Sequence, residues 1–204
     1  MIKILAISGS PVENSSTDYI CTELAKKTGV ALGEKTEINF IKLSEFNFIP
    51  CQACGKAPTP QFCFYQELDS IYDLLVNCDL LIFGSPVYFD TVSAQAKTFI
   101  DRCNCIRPPD FERRNPGHDF IKLLKRKRPG AIVLVGGENG WFEGARRTIA
   151  GFFKWVEVVN SGQIFYSTKD FNKLCEAKAD AEIPKQINEL ASVLAEKIKS
   201  DDQR

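Results

Sequence analysis

The 204-residue sequence predicts an α/β fold in one domain: a doubly wound, five-stranded parallel sheet of order 2-1-3-4-5. Three observations carry that expectation. Apolar runs of strand length alternate with amphipathic stretches of helix length. The central runs are continuous rather than alternating, as in strands buried on both faces. Clusters of Gly, Ser and Pro follow the first and third runs, and a Gly pair follows the fourth, at the strand ends where such sheets bind ligands.

Lys3 to Ser8 (KILAIS) is the first strand and ends in Gly-Ser-Pro. Ser16 to Leu32 carries Ile20, Leu24, Ala25 and Ala31 at helical spacing, with Gly33 as a stop. Glu37 to Leu43 alternates and reads as a strand with a more exposed face. Glu67 to Cys78 is helical, with Leu68, Ile71, Leu74 and Leu75 on one stripe. Asp79 to Phe83 is a buried strand closed by Gly84-Ser85-Pro86, and Ser93 to Cys103 the helix after it. Residues 104–118 are Pro-rich and polar, a long loop or lid, and Asp119 to Lys127 is a short basic helix. Ala131 to Val135 is the fourth strand, ending at Gly136-Gly137; residues 142–155 are helical. Glu157 to Tyr166 is the fifth strand and Ala181 to Lys199 the closing helix. No repeat or linker divides the chain, so residues 1–204 read as one unit.

Composition excludes several classes. Apolar residues are 44% and charged residues 25%, which is globular rather than disordered. The 26 basic and 26 acidic side chains cancel, so no whole-surface field draws the chain to nucleic acid or a membrane. No apolar run is long enough to span a bilayer. The apolar start MIKILAIS breaks at Gly9 and Pro11, which suits a strand rather than an export signal, and the expected compartment is the cytoplasm. Eight cysteines in a reducing compartment are expected as thiols.

The first strand feeds Ser8-Gly9-Ser10-Pro11-Val12-Glu13-Asn14-Ser15-Ser16-Thr17 and then a helix. Small residues, hydroxyls and the N–H groups of a helix start suit a phosphate. The run matches neither GxGxxG nor GxxxxGK[ST], and it holds no Lys; neutral donors suit a mononucleotide monophosphate. The plain alternative is a strand-to-helix turn with Ser16 or Asn14 as N-cap.

Together, ISGSP-x(3)-SST and FGSPVYFDTVSAQAKTFIDR at 83–102 resemble the NAD(P)H-dependent FMN reductases. More narrowly, the chain resembles their iron–sulfur-flavoprotein-like branch, related to multimeric flavodoxin-type quinone reductases; the likeness extends from Met1 to the region of Gly162. The resemblance implies a flavodoxin-like fold and FMN as cofactor. Its phosphate falls to the first loop, at Ser8, Ser10, Ser15, Ser16 and Thr17. Its ring lies along Pro86, Val87, Tyr88 and Phe89, and Gly136, Gly137 and Glu138 close the other side. An apolar aromatic wall with backbone donors suits a flavin; the plain alternative keeps Tyr88 and Phe89 as core aromatics.

The same branch carries four cysteines that hold an iron–sulfur cluster. Here Cys51 and Cys54 match the first two, Ala57 stands at the third and Cys63 at the fourth. An intact four-iron cluster completed by Cys103, Cys105 or a partner subunit, a zinc site, a redox CxxC and plain thiols compete, and plain thiols are the expectation. No metal ligand set is assigned. His118 is the lone histidine, in a stretch expected at the surface. KLLKRKR at 122–128 reads as a helix end rather than a nucleic-acid patch. The aromatic segment Trp141 to Trp155 reads as core, or as an oligomer interface.

The resulting expectation is an FMN-dependent NAD(P)H oxidoreductase passing electrons to a quinone, a flavin or another acceptor, as a homodimer or homotetramer. The flavin carries the chemistry, so no catalytic side chain is assigned. The rivals are a non-enzymatic FMN electron carrier and a redox-sensing flavoprotein. Net neutrality weighs against the first, and the eight cysteines keep the second open.

Overall fold

The computed structural model describes residues 1–54, 63–106, 127–137, 140–170 and 172–201. His118, Glu138, Ala57 and nearly all of the expected lid and basic helix lie outside them.

Five parallel strands form the sheet: β1 (Ile2–Ser8), β2 (Thr36–Lys42), β3 (Leu80–Tyr88), β5 (Arg128–Gly136) and β6 (Val158–Ser167). They lie in the order β2-β1-β3-β5-β6, which is the expected 2-1-3-4-5. A short strand, β4 (Thr91–Val92), pairs antiparallel with the end of β3. Helices α1 (Ser16–Leu32) and α5 (Ile183–Asp201) cover one face. Helices α2 (Asp69–Asn77), α3 (Ala94–Arg102) and α4 (Glu143–Trp155) cover the other.

The unbroken apolar runs serve both faces in turn. Ile2, Ile4 and Ala6 of β1 pack under α1 and α5, while Leu5 and Ile7 point the opposite way. Leu80 and Ile82 against Leu81 and Phe83 repeat this in β3, and Ala131 and Val133 against Ile132 and Leu134 in β5. Side chains alternate along a strand, so a strand buried on both faces has no polar positions to spare. Gly33 ends α1 at φ 69, and its N–H reaches Val30 O.

One expectation needs correction. The third strand does not stop at Phe83 but runs through Gly84-Ser85-Pro86 to Tyr88. Its neighbour β1 ends at Ser8, opposite Gly84, while β5 continues beside it as far as Pro86. A proline is tolerated there because the strand has lost one of its two neighbours. The aromatic segment is mostly core, the first of its two expected readings. Phe83, Phe99 and Phe152 form a triangle of rings with centroids 5.3–6.2 Å apart. Phe153 is buried and Trp155 Nε1–H donates to Cys103 O at 3.1 Å; Trp141 alone of the segment's Trp and Phe residues is largely exposed.

Candidate functional site

The ends of β1 and β3 are tied side by side. Gly9 N–H donates to Gly84 O at 2.8 Å, and Ser93 Oγ donates to Gly9 O at 2.6 Å. A Cβ on Gly9 would lie 2.7 Å from Ala96 Cβ, so glycine is what lets the first loop sit against the start of α3.

The first loop is braced from within. Ser15, not Ser16 or Asn14, is the N-cap of α1: its Oγ accepts from Asp18 N, and Asp18 Oδ2 accepts from Ser15 N in return. This reciprocal capping box is written in the sequence as Ser15-Ser16-Thr17-Asp18. Ser8 is fully buried and donates its hydroxyl to Asp18 Oδ1. Ser16 Oγ accepts from Ala177 N at 3.2 Å, and the Thr17 methyl faces Gly84. Ser10 Oγ accepts from Val12 N, also at 3.2 Å. Beneath the loop lies Lys42, the last residue of β2, whose Nζ donates to Val12 O and Asp18 Oδ2. The loop thus has a cation that no reading of its own sequence reveals. Asn14 and Ser15 border a cleft of about 380 Å³ that reaches Cys175 and Lys178.

The second loop is a tight hairpin. Tyr88 pairs with Thr91, leaving Phe89 and Asp90 as the two turn residues, at φ 51 and 57. Such a turn favours Asn-Gly, and positive φ strains a bulky ring. Asp90 fastens the turn: its Oδ1 accepts from Gly144 N in the first turn of α4 at 3.1 Å. Phe89 is fully exposed and Tyr88 44% exposed, so neither ring is core. Pro86 is buried and Val87 half-buried; Ser85 Oγ accepts from Ser93 N and donates to Pro86 O.

At the third loop, the glycines make room for a ring of this chain. Phe142 stacks on Phe165 at 5.0 Å, and a Cβ on Gly136 would lie 2.9 Å from its Cε1. Gly136 O accepts from Thr168 N at 2.8 Å. Gly137 is half-buried beside it.

The cysteine segment is anchored by Arg102, which ends α3 and is 1% exposed. Its Nη1 donates to Ile49 O at 2.9 Å; its Nη2 donates to Tyr65 O at 2.8 Å and Glu67 Oε2 at 3.1 Å. Cys63 Sγ accepts from the same Nη2 at 3.7 Å. Burial pulls the Glu67 carboxyl upward, but the hydrogen bond and charge of Arg102 together with backbone hydrogen bonds outweigh it and hold the group below its ordinary value. Burial raises the thiols of Cys21 and Cys103. Among the described residues, no three Cys, His, Asp or Glu side chains converge as a metal site. Cys63 is buried against Arg102, Cys51 is half-buried and Cys54 is exposed.

The described loops fit a flavin mononucleotide: a braced helix start for the phosphate and an exposed aromatic hairpin for the ring. Fold and loops together define a flavodoxin-like flavoprotein. The chain belongs to the NADPH-dependent FMN reductase family, whose model matches residues 2–173. It is therefore an FMN-dependent NAD(P)H oxidoreductase. An iron–sulfur flavoprotein of Methanocaldococcus jannaschii is 30% identical over 213 residues, covering 96% of this chain and 98% of its own. One from Methanosarcina thermophila is 30% identical over 161 residues, covering 77% of this chain and 74% of its own. Among solved structures, a flavone reductase superposes with a TM-score of 0.72 at 16% identity, over 98% of this chain and 64% of the other. An NADH:FMN oxidoreductase superposes at 0.61 and 16%, over 96% and 89%. At these identities the superpositions speak for the fold.

Proposed function

We propose that NAD(P)H and a small acceptor, a quinone or a free flavin, take turns at one open face between the first loop and the Tyr88–Phe89 hairpin. The carrying observation is that hairpin: a strained, fully exposed Phe89 held in place by Asp90 beside a loop built for phosphate. Strain and exposure at one position point to a ligand rather than to packing.

In this reading the N–H groups of Ser16 and Thr17 meet the phosphate, with the Ser10 and Thr17 hydroxyls. Ser15 and Ser8 act behind them, as cap and as brace. Pro86, Val87, Tyr88 and Phe89 wall the ring; Gly136 and Gly137 stand on its far side. Bound FMN supplies the hydride and electron chemistry. This chain's residues hold it, orient it and limit water at the ring. One face serves donor and acceptor, so steady-state kinetics are ping-pong.

Tyr88, Phe89 and Trp141, exposed together with the hairpin and the start of α4, support a homodimer or homotetramer that buries them. Sedimentation velocity tests this, and a monomer at micromolar concentration refutes it. Residues 1–204 act as one domain in the cytoplasm, in keeping with the cysteine-rich composition. The Cys51–Cys63 segment holds no four-iron cluster, because Ala57 takes the third ligand position and Cys63 is turned onto Arg102. Four irons per chain after anaerobic purification overturn that.

Stopped-flow mixing of NADH or NADPH with FMN-loaded protein tests the main reading. Bleaching of the flavin absorbance is expected. If neither nucleotide bleaches it within minutes, a non-enzymatic electron carrier takes its place.

A further inference from the structure

We propose that Lys42 is a positioning residue for the cofactor phosphate: its buried ammonium offsets Asp18 beneath the first loop, so that a helix start already holding one anion can accept a second. This rests on the reading that the loop binds the FMN phosphate.

The placement follows from strand register. Ser8 of β1 and Lys42 of β2 are paired residues, so both side chains rise at the level of the loop. Lys42 is 6% exposed, and its Nζ lies 2.6 Å from Asp18 Oδ2 and 2.7 Å from Val12 O. Asp18 also accepts from Ser8 Oγ and Ser15 N. Ser8 Oγ accepts from Ser10 N, and Ser10 Oγ accepts from Val12 N. These links close a ring, Lys42–Asp18–Ser8–Ser10–Val12–Lys42, that fixes the path of the loop.

Charge decides what the ring does. A helix start is equivalent to roughly half a positive charge. The Asp18 carboxylate, seated in the first turn, overturns that and would leave the phosphate facing a net negative site. Lys42 restores the positive sign. Both side chains are largely shielded, at 7% and 13% exposed, so solvent and salt screen them little. A Lys42–Asp18 pair serving the fold alone would treat FMN and riboflavin alike, because riboflavin lacks only the phosphate.

The test is a pair of dissociation constants, FMN and riboflavin, by fluorescence quenching, for Lys42→Met, Asp18→Asn and the double variant. Lys42→Met is expected to weaken FMN about tenfold or more and riboflavin less than about twofold. Asp18→Asn keeps the cation, and its preference for FMN over riboflavin is expected to be at least the parent's, since any loosening of the braced loop weakens both ligands alike. The double variant is expected to recover FMN to within about threefold of the parent. Equal weakening of both ligands in Lys42→Met, or a reduced preference for FMN over riboflavin in Asp18→Asn, overturns the proposal. If Lys42→Met does not fold, the Asp18→Asn arm decides alone. Ser10→Asp separates this inference from the site reading. Unchanged FMN affinity there refutes the phosphate loop itself; FMN loss there beside an unaffected Lys42→Met refutes only the role of Lys42.

Discussion

Replacing Arg102 by Met removes the fork that joins both ends of the cysteine segment to α3. Two backbone carbonyls, Ile49 O and Tyr65 O, lose charge-assisted donors. Each such bond is worth about 1.5–3 kcal/mol. The half-exposed Glu67 carboxylate adds little, because solvent screens it. Against this, the guanidinium leaves a buried Nε without a partner among the described residues, and removing it returns about 1–2 kcal/mol. The net expected loss is about 3 kcal/mol in urea unfolding. Arg102→Lys should lose most of it too, since one ammonium does not reproduce a planar fork. The second readout is local: Cys63, 5% exposed, should become open to iodoacetamide once Arg102 no longer anchors the segment. The pH dependence has a definite sign. Glu67 has a depressed pKa in the fold, so its contribution is full above the unfolded value, about 4.3, and is lost as pH falls through the folded value. The parent's advantage over Arg102→Met should therefore narrow below about pH 4. A variant within about 0.5 kcal/mol of the parent, with Cys63 still protected, refutes the clamp.

Gly84→Ala would put a Cβ 2.3 Å from Cys21 Sγ and 2.9 Å from Thr17 Cγ2, both buried. A loss of about 2–3 kcal/mol is expected, partly relieved by Cys21→Ala, as measured by thermal unfolding. In alkylation followed by mass spectrometry, Cys54 and then Cys51 should react first. Cys21 and Cys103, buried and with raised pKa, should react only on unfolding. Phe89→Asn should raise stability by about 0.5–1 kcal/mol, since Asn accepts positive φ and no buried area is lost. The same variant should weaken FMN binding; unchanged affinity would remove Phe89 from the site.

The sheet was legible because its strands are buried on both faces. Continuous runs such as Lys3 to Ser8 can be little else when helical stretches separate them. The Ser-rich loop and the Pro86-Val87-Tyr88-Phe89 run were legible as motifs, but the hairpin that turns at Phe89 and Asp90 was not, and the Ser15–Asp18 capping box stood in the sequence as Ser-x-x-Asp. The aromatic segment was legible as core through its spacing. Ala145, Ile149, Phe152 and Phe153 have the spacing of an inward stripe, and that is where they lie.

The rest needed chain segments brought together. Gly84-Ser85-Pro86 marks the point where β1 ends beside β3, which a linear reading takes for the end of β3 itself. Arg102 closes a motif that the sequence displays, yet its partners lie 35 to 53 residues away. Lys42 has no signal at all: it becomes part of the phosphate loop only because parallel pairing sets it beside Ser8. The sequence by itself determined which segments are buried and which loop can cradle an anion, because both follow from local pattern and residue type. Tertiary structure decided which charge stands under that loop, because a salt bridge depends on distance in space, and here 24 residues of chain separate Lys42 from Asp18.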